Sequence, residues 1–220
     1  MTSLKQETRW RRLATTTLSA VLLGSAVSAC APLMVGGAMT GAFVVTDRRT
    51  SGAQLEDQGI ELRAANRLSE KIGQRGNVSV TSYNRRVLLT GDVASEQDKA
   101  LAESTVSGVE NVRAIVNELG VLGASSLTQR SSDLLVTGQV KAAMIDARDL
   151  SASAVKVVTT RGTVYLMGLL TQREADRATE ITRNTQGVQR VVRVLEIISE
   201  EELARMLPKP SENEKATLAK

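Results

Sequence analysis

The sequence predicts an α+β protein made of two tandem copies of one small module. Each copy reads helix-strand-strand-helix-strand, with a small mixed three-stranded sheet covered by two helices. Three observations predict this. An apolar stripe recurs at helical spacing at two places 76 residues apart, Ile60 and Val136. Each stripe is followed by two runs that alternate apolar and polar residues. The second run of each pair carries a glycine at the same position, Gly91 and Gly168.

The elements follow in order. Ile60, Ala64 and Leu68 fall on Val136, Val140 and Met144 when the copies are set side by side, and i, i+4, i+8 is one face of a helix. Val78 and Val80 match Val155 and Val157 as a first strand. "YNRR" and "TTRGT" are turn-like. Val87, Leu89, Gly91 and Val93 match Val164, Leu166, Gly168 and Leu170 as a second strand. A glycine inside a strand predicts a bulge or a close backbone approach. "ASEQDKALAESTV" and "TQREADRATEITRNT" are helical, with Ser95 and Thr171 as N-caps. Both helices run to a Gly-Val pair, Gly108-Val109 and Gly187-Val188, where glycine is expected to end the helix in the left-handed conformation. "VRAIVNEL" and "VVRVLEII" are the final strands.

Composition excludes several functions. The chain has no histidine and one cysteine, so it holds no internal disulfide, no His/Cys metal cluster and no histidine-assisted nucleophile. Ser153 and Lys156 form an S-x-x-K, but no K-T-G follows, and the acidic residues are scattered over helix surfaces. No enzyme, cofactor or metal is expected. The net charge of +4 overstates basicity. Residues 1–29 carry Lys5, Arg9, Arg11 and Arg12 against Glu7, and without that +3 the rest is +1. No nucleic-acid partner is expected from so small an excess.

Residues 1–29 have the basic start, apolar centre and small-residue end of a secretory signal peptide. The apolar run is short for a membrane span. Val27-Ser28-Ala29-Cys30 resembles a bacterial lipobox, with Val27 in place of the usual leucine. The resemblance implies diacylation of Cys30 and cleavage before it. Ala31 follows where an aspartate would resemble an inner-membrane retention signal, so the outer membrane is expected. Residues 30–53 are then a lipidated apolar tether, 54–120 the first module, 121–130 a linker, 131–198 the second module and 199–220 a disordered tail, with at most one helical turn before Pro208.

The order of elements and the repeated "V-x-L-x-G-x-V/L … G-V-x-x-V" pattern resemble BON domains, in two copies that cover nearly all of residues 54–198. With the lipobox and "TDRR" ahead of them, the chain is similar to dual BON-domain outer-membrane lipoproteins. That resemblance implies a periplasm-facing, non-enzymatic protein that supports outer-membrane integrity and engages anionic phospholipid. The alternative is an adaptor for envelope proteins, such as an outer-membrane assembly machine or a cell-wall amidase regulator.

Charge separates the two copies. Residues 53–119 hold eight basic and ten acidic side chains, and residues 130–198 hold ten basic and seven acidic ones. The second module is therefore expected to face the lipid, through its first helix. With Val136, Val140 and Met144 in the core, Leu134, Leu135, Lys141 and Arg148 are left for the membrane. Leu135 is expected to insert, while Lys141 and Arg148 meet head groups. The competing expectation packs Leu134 and Leu135 against the first module and leaves the arginines on an ordinary solvated face.

Overall fold

A computed structural model describes residues 47–123 and 125–206. The expected signal peptide, Cys30 and most of the tether lie outside the described residues. In the first module, helix α1 (Ser51–Lys71) is followed by β1 (Gly76–Tyr83), β2 (Arg86–Val93), α2 (Glu96–Ser107), β3 (Ala114–Asn117) and β4 (Gly120–Val121). In the second, α3 (Leu127–Asp146) is followed by β5 (Val155–Thr160), β6 (Thr163–Leu170), α4 (Gln172–Arg183) and β7 (Arg190–Ile197). A last helix, α5, spans Glu200–Met206.

Both sheets are mixed. β2 runs antiparallel to β1 and parallel to β3 and β4, and β6 runs antiparallel to β5 and parallel to β7. The first sheet departs from three strands in one respect. Its last strand is interrupted at Glu118 and Leu119, so Arg86–Leu89 pair with β3 and Asp92–Val93 with β4. Leu119 turns into the core there, and Glu118 reaches the second module.

Each sheet covers one core with its helices. Ile60, Ala64 and Leu68 meet Val87, Leu89, Ala102 and Val106 in the first. Val136, Val140 and Met144 meet Val164, Leu166, Ala175 and Ala178 in the second. Ser95 and Thr171 cap α2 and α4 as expected, and Thr171 forms a full capping box with Glu174. Gly168 is a close backbone approach, since a Cβ there would sit 2.5 Å from the Ala154 carbonyl oxygen. Helix ends differ from expectation. Gly108 stays right-handed at φ −79°, and the reversal falls on Asn111 at φ 67°. Gly187 is left-handed, but only after α4 has ended at Asn184.

The opposite faces of the two sheets meet. Tyr83 and Leu88 pack against Tyr165, Met167, Leu169 and Val194. The tail is not disordered from residue 199: α5 folds back, and Leu203 is buried in this same layer. Helix formation there is stabilised by one buried leucine and by Ser199 at the start of the helix, whose hydroxyl accepts from the Glu202 amide.

Candidate membrane-binding site

Helix α3 is apolar on two opposite faces. Val136, Val140 and Met144 form the core face, with Asp133 buried at its head. At 100° per residue, Leu127, Leu134 and Ile145 lie more than a quarter turn from that stripe, on the outward side. They are open to solvent, Leu134 at 74% and Leu135 at 69%. Seven residues separate Leu127 from Leu134 and eleven separate Leu134 from Ile145, two and three helical turns. The stripe from Leu134 to Ile145 is about 16 Å long. Leu135 lies beside it, around the helix from Leu134.

The expected site residues divide accordingly. Leu134 and Lys141, seven residues apart, share one side of the helix. Arg148 stands two residues beyond the helix end, and both cations are exposed. Leu134 and Leu135 remain largely open to solvent, Leu134 beside residues of the first module. Leu127, Ile145 and Arg130 were not expected in the site. The signal was present: Leu127, Leu134 and Ile145 repeat at helical spacing, out of phase with the core stripe. Ser153 meets Ser151 rather than Lys156, which is paired with Glu61 of the first module at 3.0 Å.

The site is held by the rest of the fold through buried carboxylates. Asp133 accepts from the Arg161 amide (2.8 Å) and the Gly162 amide (2.9 Å), which pins α3 to the β5–β6 turn. That turn needs the help, because Arg161 and Gly162 both have positive φ. Asp57 occupies the matching place on α1, three residues before the first core residue. It accepts from the amides of Asn84 and Arg85, also at positive φ, and from Ser82 Oγ. Burial alone would raise the Asp57 carboxyl, but these bonds and Arg49 hold it below the ordinary aspartate value. The turn at Asn84 and Arg85 is thus a packed corner.

Ion pairs ring the layer between the sheets. Arg161 of the second module reaches Asp92 of the first, Arg190 reaches Glu118, and Asn84 donates to Glu196. The end of the expected tether joins them. Arg48 donates twice to Glu174 at 2.7 Å and once to the Leu169 carbonyl, in the second module. Arg49 pairs with Asp57 and lies 4.1 Å over the Tyr83 ring, in the first. Residues 47–50 are therefore a strap across both modules, not a free tether. The Tyr83 and Tyr165 hydroxyls are pushed up to about 12, chiefly by burial and then by the Asp47 and Glu118 charges.

The BON domain family model matches residues 57–123 and 132–199. The chain is 36% identical to the outer membrane lipoprotein DolP of Haemophilus influenzae, over 81% of this chain and 95% of that one. It is 32% identical to a 21 kDa hemolysin of Actinobacillus pleuropneumoniae, over 69% and 79%. It is 29% identical to the osmotically-inducible protein Y of Escherichia coli, over 80% and 92%. Two BON modules in one chain, together with a relative of this similarity over nearly its whole length, identify this chain as a member of the dual BON-domain family of outer-membrane lipoproteins.

Proposed function

We propose that this chain is a non-enzymatic lipoprotein, anchored through acylated Cys30, that faces the periplasm and rests its second module on anionic phospholipid to support outer-membrane integrity. The outward stripe of α3 carries the reading. Leu127, Leu134, Leu135 and Ile145 present apolar side chains that are 69–80% exposed, and Arg130, Lys141 and Arg148 lie on or beside the same helix. Apolar side chains flanked by cations suit the boundary between acyl chains and head groups. Each cation near an anionic surface contributes roughly 1 kcal/mol, and a leucine transferred from water adds about 1.5–3 kcal/mol when fully buried.

The test is flotation of the chain from residue 30, carrying Cys30→Ser so that the anchor is absent. Vesicles of phosphatidylcholine with and without phosphatidylglycerol are compared. The protein is expected to float with the anionic vesicles only, and Leu135→Asp is expected to abolish it. Equal flotation on both vesicles, or none lost in the variant, refutes the reading.

A second reading is favoured by α1. Leu55 and Leu62, two turns apart, are exposed on the side away from the core of the acidic first module. An envelope-protein adaptor would use this face. Cross-linking in cells with Leu62→Asp tests it, and an unchanged set of cross-linked species overturns it.

A further inference from the structure

Strand β7 is an open edge of the second sheet, whose order is β5-β6-β7. It pairs with β6 along its whole length, from Arg190 to Ile197. The Arg190 amide donates to the Gly162 carbonyl, and the Ile198 amide just beyond the strand donates to that of Leu170. Successive residues of a strand turn to opposite sides, so the even-numbered residues bond to β6. Val191, Arg193, Leu195 and Ile197 turn their amides and carbonyls outward, where they meet no partner among the described residues. Ile197 is 51% exposed, and Arg193 is exposed as well.

The first module closes the corresponding edge. Its last strand is split into β3 and β4. The Asn117 side chain donates to the Lys99 carbonyl and accepts from the Leu119 amide. Breaks and side-chain covers of this kind blunt an edge against foreign strands. β5, at the far side of the second sheet, is flanked by α3 through the Thr137–Thr159 bond and by the first module through Lys156 and Glu61. β7 has neither device. It is an unbroken run of eight residues, rich in valine.

Charge along β7 selects the partner. Arg190 stands at its start and Glu196 near its end, on the side that carries Val192 and Val194. Two copies of β7 set in register in the same direction bring like charges together. Set antiparallel, they place Arg190 of one opposite Glu196 of the other at both ends. In that register Val191 lies opposite Leu195, Val192 lies opposite Val194, and Arg193 meets its own copy on the two-fold axis. Each Arg193 keeps Asp176 of α4 at 2.9 Å as a counter-charge. The odd-numbered residues then exchange amide–carbonyl bonds, and these are the residues left open in the single chain.

We infer that a second copy of this chain binds here, β7 against β7, and joins the two three-stranded sheets into one continuous sheet. The two-fold axis is perpendicular to that sheet, so α3 and α4 of both copies stay on one side of it. Both outward stripes of α3 then face the same way. The pairing requires no lipid and stands apart from the proposed contact of α3.

Sedimentation of the Cys30→Ser chain from residue 30, over a range of concentrations without lipid, is expected to show a reversible dimer. Arg193→Pro removes the central outward amide of each copy and costs no bond within the sheet. It is expected to weaken the dimer about tenfold. Arg193→Ala keeps the amide, removes the like charges and is expected to dimerise at least as well as the unmodified protein. Amide exchange followed by NMR locates the contact. As concentration rises, protection is expected to grow at Val191, Arg193 and Leu195 and to stay constant at Val192 and Val194. Unchanged protection of Val194 in Arg193→Pro shows that β7 is still held on β6. A chain that remains a monomer throughout, a dimer that survives Arg193→Pro, or new protection confined to α1 or to the α3 stripe overturns the inference.

Discussion

Arg48 and Glu174 form a two-pronged ion pair, both bonds 2.7 Å, with only 5% of each side chain exposed, across 126 residues of sequence. Removing the arginine leaves a buried carboxylate with one amide partner, Thr171, but no bonded counter-charge. Arg48→Ala is expected to destabilise the folded protein by about 3 kcal/mol. Arg48→Lys, which keeps the charge but loses the fork, is expected to fall between. Urea denaturation measures both, and an Arg48→Ala midpoint equal to that of the unmodified protein counts against the strap.

Acid is expected to loosen the same contacts. Burial raises the carboxyls of Glu174 and Asp57, but hydrogen bonds outweigh it, and both are held below their ordinary values. A carboxyl lowered in the folded state contributes stability that is present above its unfolded value and lost as pH falls through its folded one. Thermal stability is therefore expected to hold at neutral pH and to decline below about pH 4.5. The decline is expected to be shallower in Arg48→Ala, because Glu174 there no longer has its arginine. A flat melting temperature down to about pH 3 argues against both assignments.

Alkali reads the layer between the sheets. The chain has two tyrosines, Tyr83 and Tyr165, and both are in that layer with hydroxyls raised to about 12. Phenol absorbance is expected to rise with a midpoint near 12 rather than near 10, which is the unfolded value. Stability from these groups is present below pH 10 and lost as pH climbs through 12. A normal tyrosine titration in the folded protein is inconsistent with the packed modules.

The paired aspartates should be sensitive in the same way. Asp57→Ala and Asp133→Ala each free two backbone amides in a turn of positive φ, and each is expected to cost about 2 kcal/mol. Hydrogen exchange at residues 84–85 and 161–162 is the measurement, with faster exchange expected only in the turn that lost its carboxylate. Equal protection in both turns of either variant refutes the shared role.

Cys30→Ser is expected to move the protein out of the membrane fraction and to remove the acyl mass. Retention of the variant in that fraction, after high salt, removes the anchor from the proposed function.

Much of this was legible in sequence because the repeat supplies two readings of each element. Ile60 and Val136, or Gly91 and Gly168, explain one another. The layer between the modules was not legible, since a strand face reports burial only through alternation: Leu88 and Met167 sit in runs already apolar, and Tyr83 stands between Ser82 and Asn84 at the polar end of β1. Asp57 and Asp133 stand at matching places but looked like surface charge, because the turn each holds is about 28 residues away. The strap was read as tether for a similar reason: Arg48 has its partner at residue 174. Leu203 was missed because a two-turn helix with one buried residue has no period to detect.

The two apolar faces of α3 carry a consequence for folding. Hydrophobicity alone does not tell this helix which way to turn. Rolled about its axis by half a revolution, it would offer Leu127, Leu134 and Ile145 to the sheet instead of Val136, Val140 and Met144. One rotational setting places a carboxylate beneath the Arg161-Gly162 corner, and in the other Asp133 faces water. A helix apolar on two sides thus depends on its few polar anchors, the buried acid first and the Thr137-Thr159 bond beside it, to keep the second apolar side on the outside.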